Sequence, residues 1–255
     1  MKGVFTQNLA TKLAAGVLKS GLYELKDSVS PDTYGGAPLL GVNGAGKTTT
    51  IKMLCGLCCA TSGDATLNGF SISKESLKVK EIINVSPQET AIAQNLTVKE
   101  NLEFIAGIYG ASKEEQKAKA QKMIADFNLE EFQNQKAKTL SGGWQRRLSI
   151  AMALISEPKI LFLDEPTLGL DVLARRELWN VISALKGKIT IILTTHYLEE
   201  AESLSDRIAI MKDGKLKALG TAQELIEKTG AKNFEDAFVS LCTENSNTIG
   251  GKNEN

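Results

Sequence analysis

The run Gly41-Val42-Asn43-Gly44-Ala45-Gly46-Lys47-Thr48 meets the pattern G-x-x-x-x-G-K-S/T at every specified position. Its chemistry is that of an anion cradle. Glycines let successive backbone N–H groups turn inward as a nest for phosphate oxygens, and a helix opening at the loop's end points its positive terminus at the same anion. Lys47 supplies a mobile positive charge for the β- and γ-phosphates of a nucleotide, and the Thr48 hydroxyl can ligate the Mg²⁺ that offsets the triphosphate charge. The expected cradle is Gly41, Asn43, Gly44, Ala45, Gly46, Lys47, Thr48 and Thr49. A chance glycine-rich turn ahead of a helix is the plain alternative. The strand leading into the loop is thin, with only Leu39 and Leu40 apolar behind Pro38.

Asp164 and Glu165 directly follow the apolar run Ile160-Leu161-Phe162-Leu163. Ligands and catalytic groups of open α/β sheets gather at the carboxyl ends of strands. Two successive carboxylates there can point differently and do two jobs. Asp164 is expected to hold Mg²⁺, directly or through water, and Glu165 to orient or deprotonate an attacking water. Without the phosphate loop upstream, such a pair reads as a helix cap or a solvated turn. His196 is the one histidine in the chain and ends the run TIILTTH, which brings it to the same sheet edge. There it favours a polar contact to phosphate and water; Thr194 and Thr195 beside it read as strand residues only. Gln88 follows the strand IINVS through Pro87. Its amide can ligate Mg²⁺ or hold the attacking water without adding charge. The catalytic candidates are thus Glu165, His196 and Gln88, and the metal candidates Thr48, Gln88 and Asp164.

A second glycine-rich element, Leu140-Ser141-Gly142-Gly143-Trp144-Gln145, opens another helix. Ser141 can cap that helix, and Gly142 and Gly143 expose backbone N–H groups. The plain reading is an ordinary capped helix. The sharper one is an anion site for the γ-phosphate of ATP held by another copy, as a two-fold dimer with two composite sites would provide.

The elements that must position these residues alternate in type. The apolar spacing of Ile51, Leu54, Cys55 and Cys58 predicts a helix over 48–57. Thr97-x-x-Glu100 and Ser112-x-x-Glu115 are capping boxes for helices running to about Tyr109 and Phe127. A further helix follows Ser141 and stops before Pro158, and another covers Ala174 to Leu185. The runs ILFL and TIILT read as strands buried on both faces of a parallel sheet. IAIM, Asp213-Gly214, then Lys215 to Leu219 predict a hairpin. These features imply an α/β fold of the P-loop NTPase kind. It would have a mainly parallel core sheet, an antiparallel part, and an inserted α-helical subdomain over about 89–155. Residues 1–242 read as one domain, and the polar tail 243–255 as disordered.

Bulk properties narrow the classes. The chain has 255 residues, long enough to bury a core without disulfide staples. Lys+Arg and Asp+Glu both number 30, so the balance points to no nucleic-acid partner. No apolar stretch approaches the roughly 18 residues of a membrane span, and the lysine-dotted start does not read as a secretory signal. Three of the four cysteines form CGLCC. The Cys55-x-x-Cys58 spacing invites a metal or redox reading, but no second Cys/His pair completes a zinc site; packing at a helix end explains them better.

Taken in order, these residues resemble the ABC ATPase family. Gly41 to Thr48 resemble its Walker A motif, Gln88 the Q-loop residue, LSGGW the signature (usually LSGGQ), ILFLDE Walker B, Pro166 to Asp171 the D-loop region, and His196 the switch histidine. The resemblance spans about residues 39–242. NLTVKENLEF, RRLSIAMALI and LTTHYLEEAESLSDRIAIM are similar to the subfamily serving bacterial multidrug, antibiotic or ion exporters. The resemblance implies ATP and Mg²⁺ as ligands, and a head-to-tail dimer with a second copy or a paralogous ATPase subunit. It also implies a separate transmembrane permease docked near the helical block and the loop after Gln88. The chain would then be cytoplasmic and peripheral on the inner face of the membrane. In the implied cycle, ATP lies between one copy's Walker A and the other's signature, and binding closes the dimer. Water positioned by Glu165 and His196 attacks in line; charge repulsion and loss of the γ-phosphate then open the dimer.

Two departures stand out. The family has a Gly-Glu pair and an apolar strand before the phosphate loop; here the sequence reads TYGGAPLL, and residues 1–38 form a divergent part. The adenine-stacking aromatic falls in this part, at Tyr23, with Phe5 or Tyr34 as competitors, and adenine binding is expected to be weaker than in relatives. Trp144 replaces the usual methionine or glutamine. The rival functions are a soluble non-transport ABC ATPase of DNA repair or translation, and a non-hydrolysing regulatory module. The single ATPase domain and short helical block argue against the first, and Glu165 with His196 against the second.

Overall fold

The computed structural model describes residues 38–243. The readings on residues 1–37, including Phe5, Tyr23 and Tyr34, and those on the tail 244–255 lie outside the described residues.

Among the described residues a six-stranded sheet is ordered β4-β5-β6-β1-β7-β8. Its strands are β1 (Leu39–Leu40), β4 (Ile83–Ser86), β5 (Ile160–Asp164), β6 (Thr190–Thr195), β7 (Ile208–Lys212) and β8 (Lys215–Gly220). All neighbours pair in parallel except β7 and β8. The thin strand read at Leu39-Leu40 proves to be central: Leu39 pairs with Thr194 on one side and Ala209 on the other. Both leucines are buried. A parallel sheet covered on both faces selects the unbroken apolar runs seen in β5 and β6.

A small antiparallel hairpin joins β2 (Thr66–Leu67) and β3 (Phe70–Ser71). It turns on Asn68 and Gly69, both at positive φ, 49° and 87°. Neither this hairpin nor α2 (Ser76–Ile82) is among the elements expected from the sequence.

The helix after the phosphate loop, α1, runs Lys47–Leu54, shorter than expected. Gly56 turns the chain with φ 67°. Only Cys55 is buried as a result; Cys58 and Cys59 are exposed, which corrects the packing role expected for all three. Both expected capping boxes are present. They open α3 (Val98–Ile108) and α4 (Lys113–Asp126). These helices lie between β4 and β5 with α5 (Gly142–Leu154). Residues 146–154 of α5 are all buried, so this helix threads the middle of the larger apolar cluster. Its apolar residues Leu148 and Ile150–Leu154 pack into that cluster, while Arg146, Arg147 and Ser149 are buried with polar partners. The remaining helices are α6 (Val172–Ser183), α7 (Leu198–Leu204), α8 (Ala222–Thr229) and α9 (Phe234–Thr243). No helix among them is long and apolar enough to cross a membrane.

Candidate functional site

The ends of β1, β4, β5 and β6 converge on a cleft of about 410 Å³. Residues 43–49 line it, together with Gln88, Glu165, Leu168 and His196. Gly44 and Gly46 adopt φ of 82° and 95°, the left-handed region that glycine enters freely. Gly46 is the N-cap of α1 and makes no side-chain cap bond, so backbone N–H groups at this helix start remain available to an anion. Gly41 sits behind the cleft. A Cβ there would collide with the carbonyl of Met211, so this glycine permits close packing on β7.

Lys47 is 6% exposed. Its Nζ donates to Gly41 O at 2.5 Å and lies 3.2 Å from Glu165 Oε1. The other Glu165 oxygen, Oε2, is 2.8 Å from His196 Nδ1. Glu165 thus bridges the cradle lysine and the single histidine. It does so from a backbone φ of 47°, rare for a side chain with a Cβ and costing on the order of 1–3 kcal/mol. That turn swings its carboxyl away from the line of β5 and into the cleft.

Asp164, one residue earlier, faces the other way. Its Oδ1 accepts from Thr48 Oγ1 at 3.0 Å and from Thr194 Oγ1 at 2.6 Å. Two successive carboxylates therefore point to two different sets of partners. Thr194 is more than the strand residue expected. Its hydroxyl also accepts from the backbone N of Glu165 at 2.9 Å, tying both acids together. Parallel pairing sets Thr194 directly opposite Asp164, and such a non-local register leaves no local mark in the sequence.

The donors around Thr48 are hydroxyl and carboxylate oxygens, the set that suits Mg²⁺. No cluster of three or more His, Cys, Asp or Glu side chains able to hold a metal occurs among the described residues. The Thr48–Asp164 pair fits a Mg²⁺ whose shell is filled mainly by phosphate oxygens and water, as that ion prefers.

Ser141, Gly142 and Gly143 form no part of the cleft. Ser141 occupies the N-cap position of α5, but its side chain makes no cap bond, contrary to expectation. Ser141 and Gly142 are exposed. Gln88 is exposed too and lines the cleft, while its backbone carbonyl accepts from Arg146 at 3.3 Å. Arg146 and Leu168 are further residues near the site that the sequence reading did not single out.

The family model for the ABC transporter matches residues 36–168, just over half of the chain, from before the phosphate loop to beyond Glu165. The chain belongs to the ABC transporter family. Within it, the chain is an ATP-binding, ATPase-type component, and nucleotide binding follows from that membership. It is 40% identical over 217 residues to the linearmycin resistance ATP-binding protein LnrL of Bacillus subtilis, covering 85% of this chain and 67% of that one. It is 44% identical over 193 residues to the human phospholipid-transporting ATPase ABCA3. That match covers 76% of this chain but 11% of ABCA3, so the chain spans a small part of that relative. A solved structure described as the ATP-binding subunit of an ABC transporter superposes with a TM-score of 0.72 at 30% identity, covering 87% of this chain and 96% of that one. The expected α/β ABC fold and the exporter-like kinship both agree with these matches.

Proposed function

We propose that this chain hydrolyses ATP in a head-to-tail dimer, with a second copy or a paralogous subunit, and powers export through a separate membrane permease from the cytoplasmic face. The observation that carries the reading is the Lys47–Glu165–His196 chain of contacts at the mouth of the phosphate loop. It joins an anion-binding cation, a carboxylate and a histidine in one cleft. Kinship to a protein named for linearmycin resistance and to one named for phospholipid transport supports transport over DNA repair or translation. Phe104 and Ile108, exposed one turn apart on α3, offer an apolar stripe for a permease to dock.

The residues divide the work. The loop N–H groups and Lys47 bind the triphosphate. Lys47 exchanges its contact with Glu165 for the phosphates, which frees the carboxylate to orient a water. His196 holds the second oxygen of that carboxylate in place. Thr48 would hold Mg²⁺, with Asp164 and Gln88 bound directly or through water, and the ion would offset charge on the phosphates. Ser141, Gly142 and Gly143 would meet the γ-phosphate of the ATP held by the partner copy.

The test is Glu165→Gln. Removing the acid–base group lowers hydrolysis by about 10²–10⁴-fold. ATP binding persists, and a stable ATP-bound dimer collects on gel filtration. Hydrolysis at the parent rate would remove the role given to Glu165, and a monomer under these conditions would remove the dimer.

A further inference from the structure

Arg146 lies in the first turns of α5, about 7.5 Å along the axis from Ser141. It is charged yet only 4% exposed. Burial pulls its pKa down to about 10, while the nearby Asp164, Glu200 and Glu165 pull the other way, so it remains a cation at neutral pH. A buried guanidinium needs acceptors for its fork of N–H donors. Here they are backbone carbonyls from two catalytic segments. Nε donates to Pro166 O at 2.9 Å and Nη2 to Asp164 O at 2.6 Å. Nη1 donates to Pro87 O and, at 3.3 Å, to Gln88 O.

The first two acceptors stand on either side of Glu165. That is the residue held at φ 47°. Backbone strain of this kind persists where surrounding structure over-determines it, and Arg146 supplies two of the bonds that do so. The other two acceptors fix the segment that presents Gln88 to the cleft. The helix itself is fastened on the same side, since Ser149 Oγ lies 2.9 Å from Ser86 Oγ at the end of β4. With 146–154 all buried, a tilt of α5 carries its arginine along.

We propose that Arg146 is a positioning residue that couples the two ATP sites of the dimer, fastening the helix whose exposed N-terminus serves one site to the turn that presents Glu165 to the other. This rests on the composite-site reading above. Contact of Ser141–Gly143 with the partner's ATP shifts α5, and Arg146 transmits the shift to Asp164 O, Pro166 O and Gln88 O in its own subunit. Each site then senses occupancy of the other without direct contact between nucleotides. The acceptors are main-chain atoms, so the device reads the position of these segments. Lysine cannot replace it: a compact ammonium keeps the charge but lacks the planar fork that reaches carbonyls in separate segments.

The experiment measures ATP hydrolysis by the full chain against ATP concentration. The parent is expected to show a Hill coefficient approaching about 2, the limit for two sites. In Arg146→Lys it falls to about 1, and kcat falls about 10- to 100-fold with half-saturation nearly unchanged, as for a misplaced catalytic group. Arg147→Lys serves as a comparison, because the neighbouring Arg147 pairs with Glu177 on α6 at 2.6 Å and not with the catalytic segments; its Hill coefficient should match the parent's. A parent-like Hill coefficient in Arg146→Lys, or a parent value of 1, overturns the coupling. Should Arg146→Lys not fold, Arg146→Gln, whose planar amide reaches fewer carbonyls, is measured in the same way. A Hill coefficient near 1 supports coupling, and a parent-like value overturns it. Glu165→Gln separates the layers: if it forms an ATP-bound dimer while these measurements show independent sites, the coupling alone falls. If it stays monomeric, the composite site falls with it.

Discussion

Two regions of the chain, the phosphate loop and the start of α5, pair their polar groups in opposite ways. At the phosphate loop, charge answers charge: Lys47 meets Glu165, Glu165 meets His196, and Asp164 meets Thr48 and Thr194. At the start of α5, Ser141 makes no cap bond, and Ser141 and Gly142 face solvent. The first region is finished in the sense that its side chains pair with one another, the lysine resting on its own chain's carboxylate. The second is an exposed helix end, which the proposed function assigns to the γ-phosphate held by the partner copy. Unpaired polar groups are tolerable at a surface but costly once buried.

That asymmetry separates two substitutions with large effects. Lys47→Ala removes a buried cation from the finished region and should weaken ATP binding by about 100-fold in the isolated subunit. Gly142→Asp places a negative charge at the unfinished region, where the nearest side-chain atom to a new Cβ is 3.9 Å away, so the residue fits. Binding of fluorescent ATP analogue to the monomer should stay within about twofold, while steady-state hydrolysis falls about 100-fold, as when one charge-stabilising donor is lost. Equal loss of binding in both variants would erase the distinction between the regions.

A smaller effect sharpens the picture of the finished region. Thr194→Val keeps the shape of β6 but deletes the hydroxyl shared by Asp164 Oδ1 and the N–H of Glu165. Leaving a buried group short of a partner costs about 1–3 kcal/mol. Hydrolysis should fall by about tenfold, with ATP affinity little changed. If affinity falls instead and turnover holds, Thr194 serves the cradle and not the acids.

The contrast also explains what was legible in the sequence. Lys47, Thr48, Asp164, Glu165 and His196 lie in short local patterns, each tied to one strand end or helix start, and these patterns survive as text. The central place of β1 did not, since two apolar residues carry it and its neighbours come from far along the chain. Thr194 and Arg146 escaped for the same reason: their partners are set by sheet register and by the passage of α5 behind β5. Other omissions had signals in plain view. Asn68-Gly69 is a strong hairpin turn with very short flanks. Thr221 and Glu224 form a capping box that opens α8, as clear as the two that were read. The cap bond expected of Ser141 is absent; a serine in the cap position reads alike whether or not it bonds its own helix.

The smallest predicted effect concerns Glu200, fully buried on α7 behind the finished region. Its Oε1 accepts from Trp179 Nε1 at 3.0 Å, and the hydroxyls of Thr167 and Thr195 face the same carboxylate. Burial is the main cause that raises its pKa above the ordinary 4.5, and Glu165 adds repulsion; the surrounding Thr195, Thr167 and Trp179 oppose the shift. The Arg146 donors are committed to carbonyls and do not neutralise it. The sign follows from linkage. A raised folded-state pKa means that the native protein holds its proton where the unfolded chain has released it. The stability this group lends is full below pH 4.5 and is lost as pH climbs through the raised value. Glu200→Gln keeps an acceptor for Trp179, offers an amide donor toward Thr167, and does not titrate. Near pH 4.5 the two proteins should melt together. Toward pH 8 the glutamine variant should gain, by about 2–4 °C for each kcal/mol of ionisation cost it avoids. A glutamine variant that melts lower by a constant margin at every pH would mean that Glu200 is ionised in the fold. The region behind the acids would then hold one more negative charge than its burial favours.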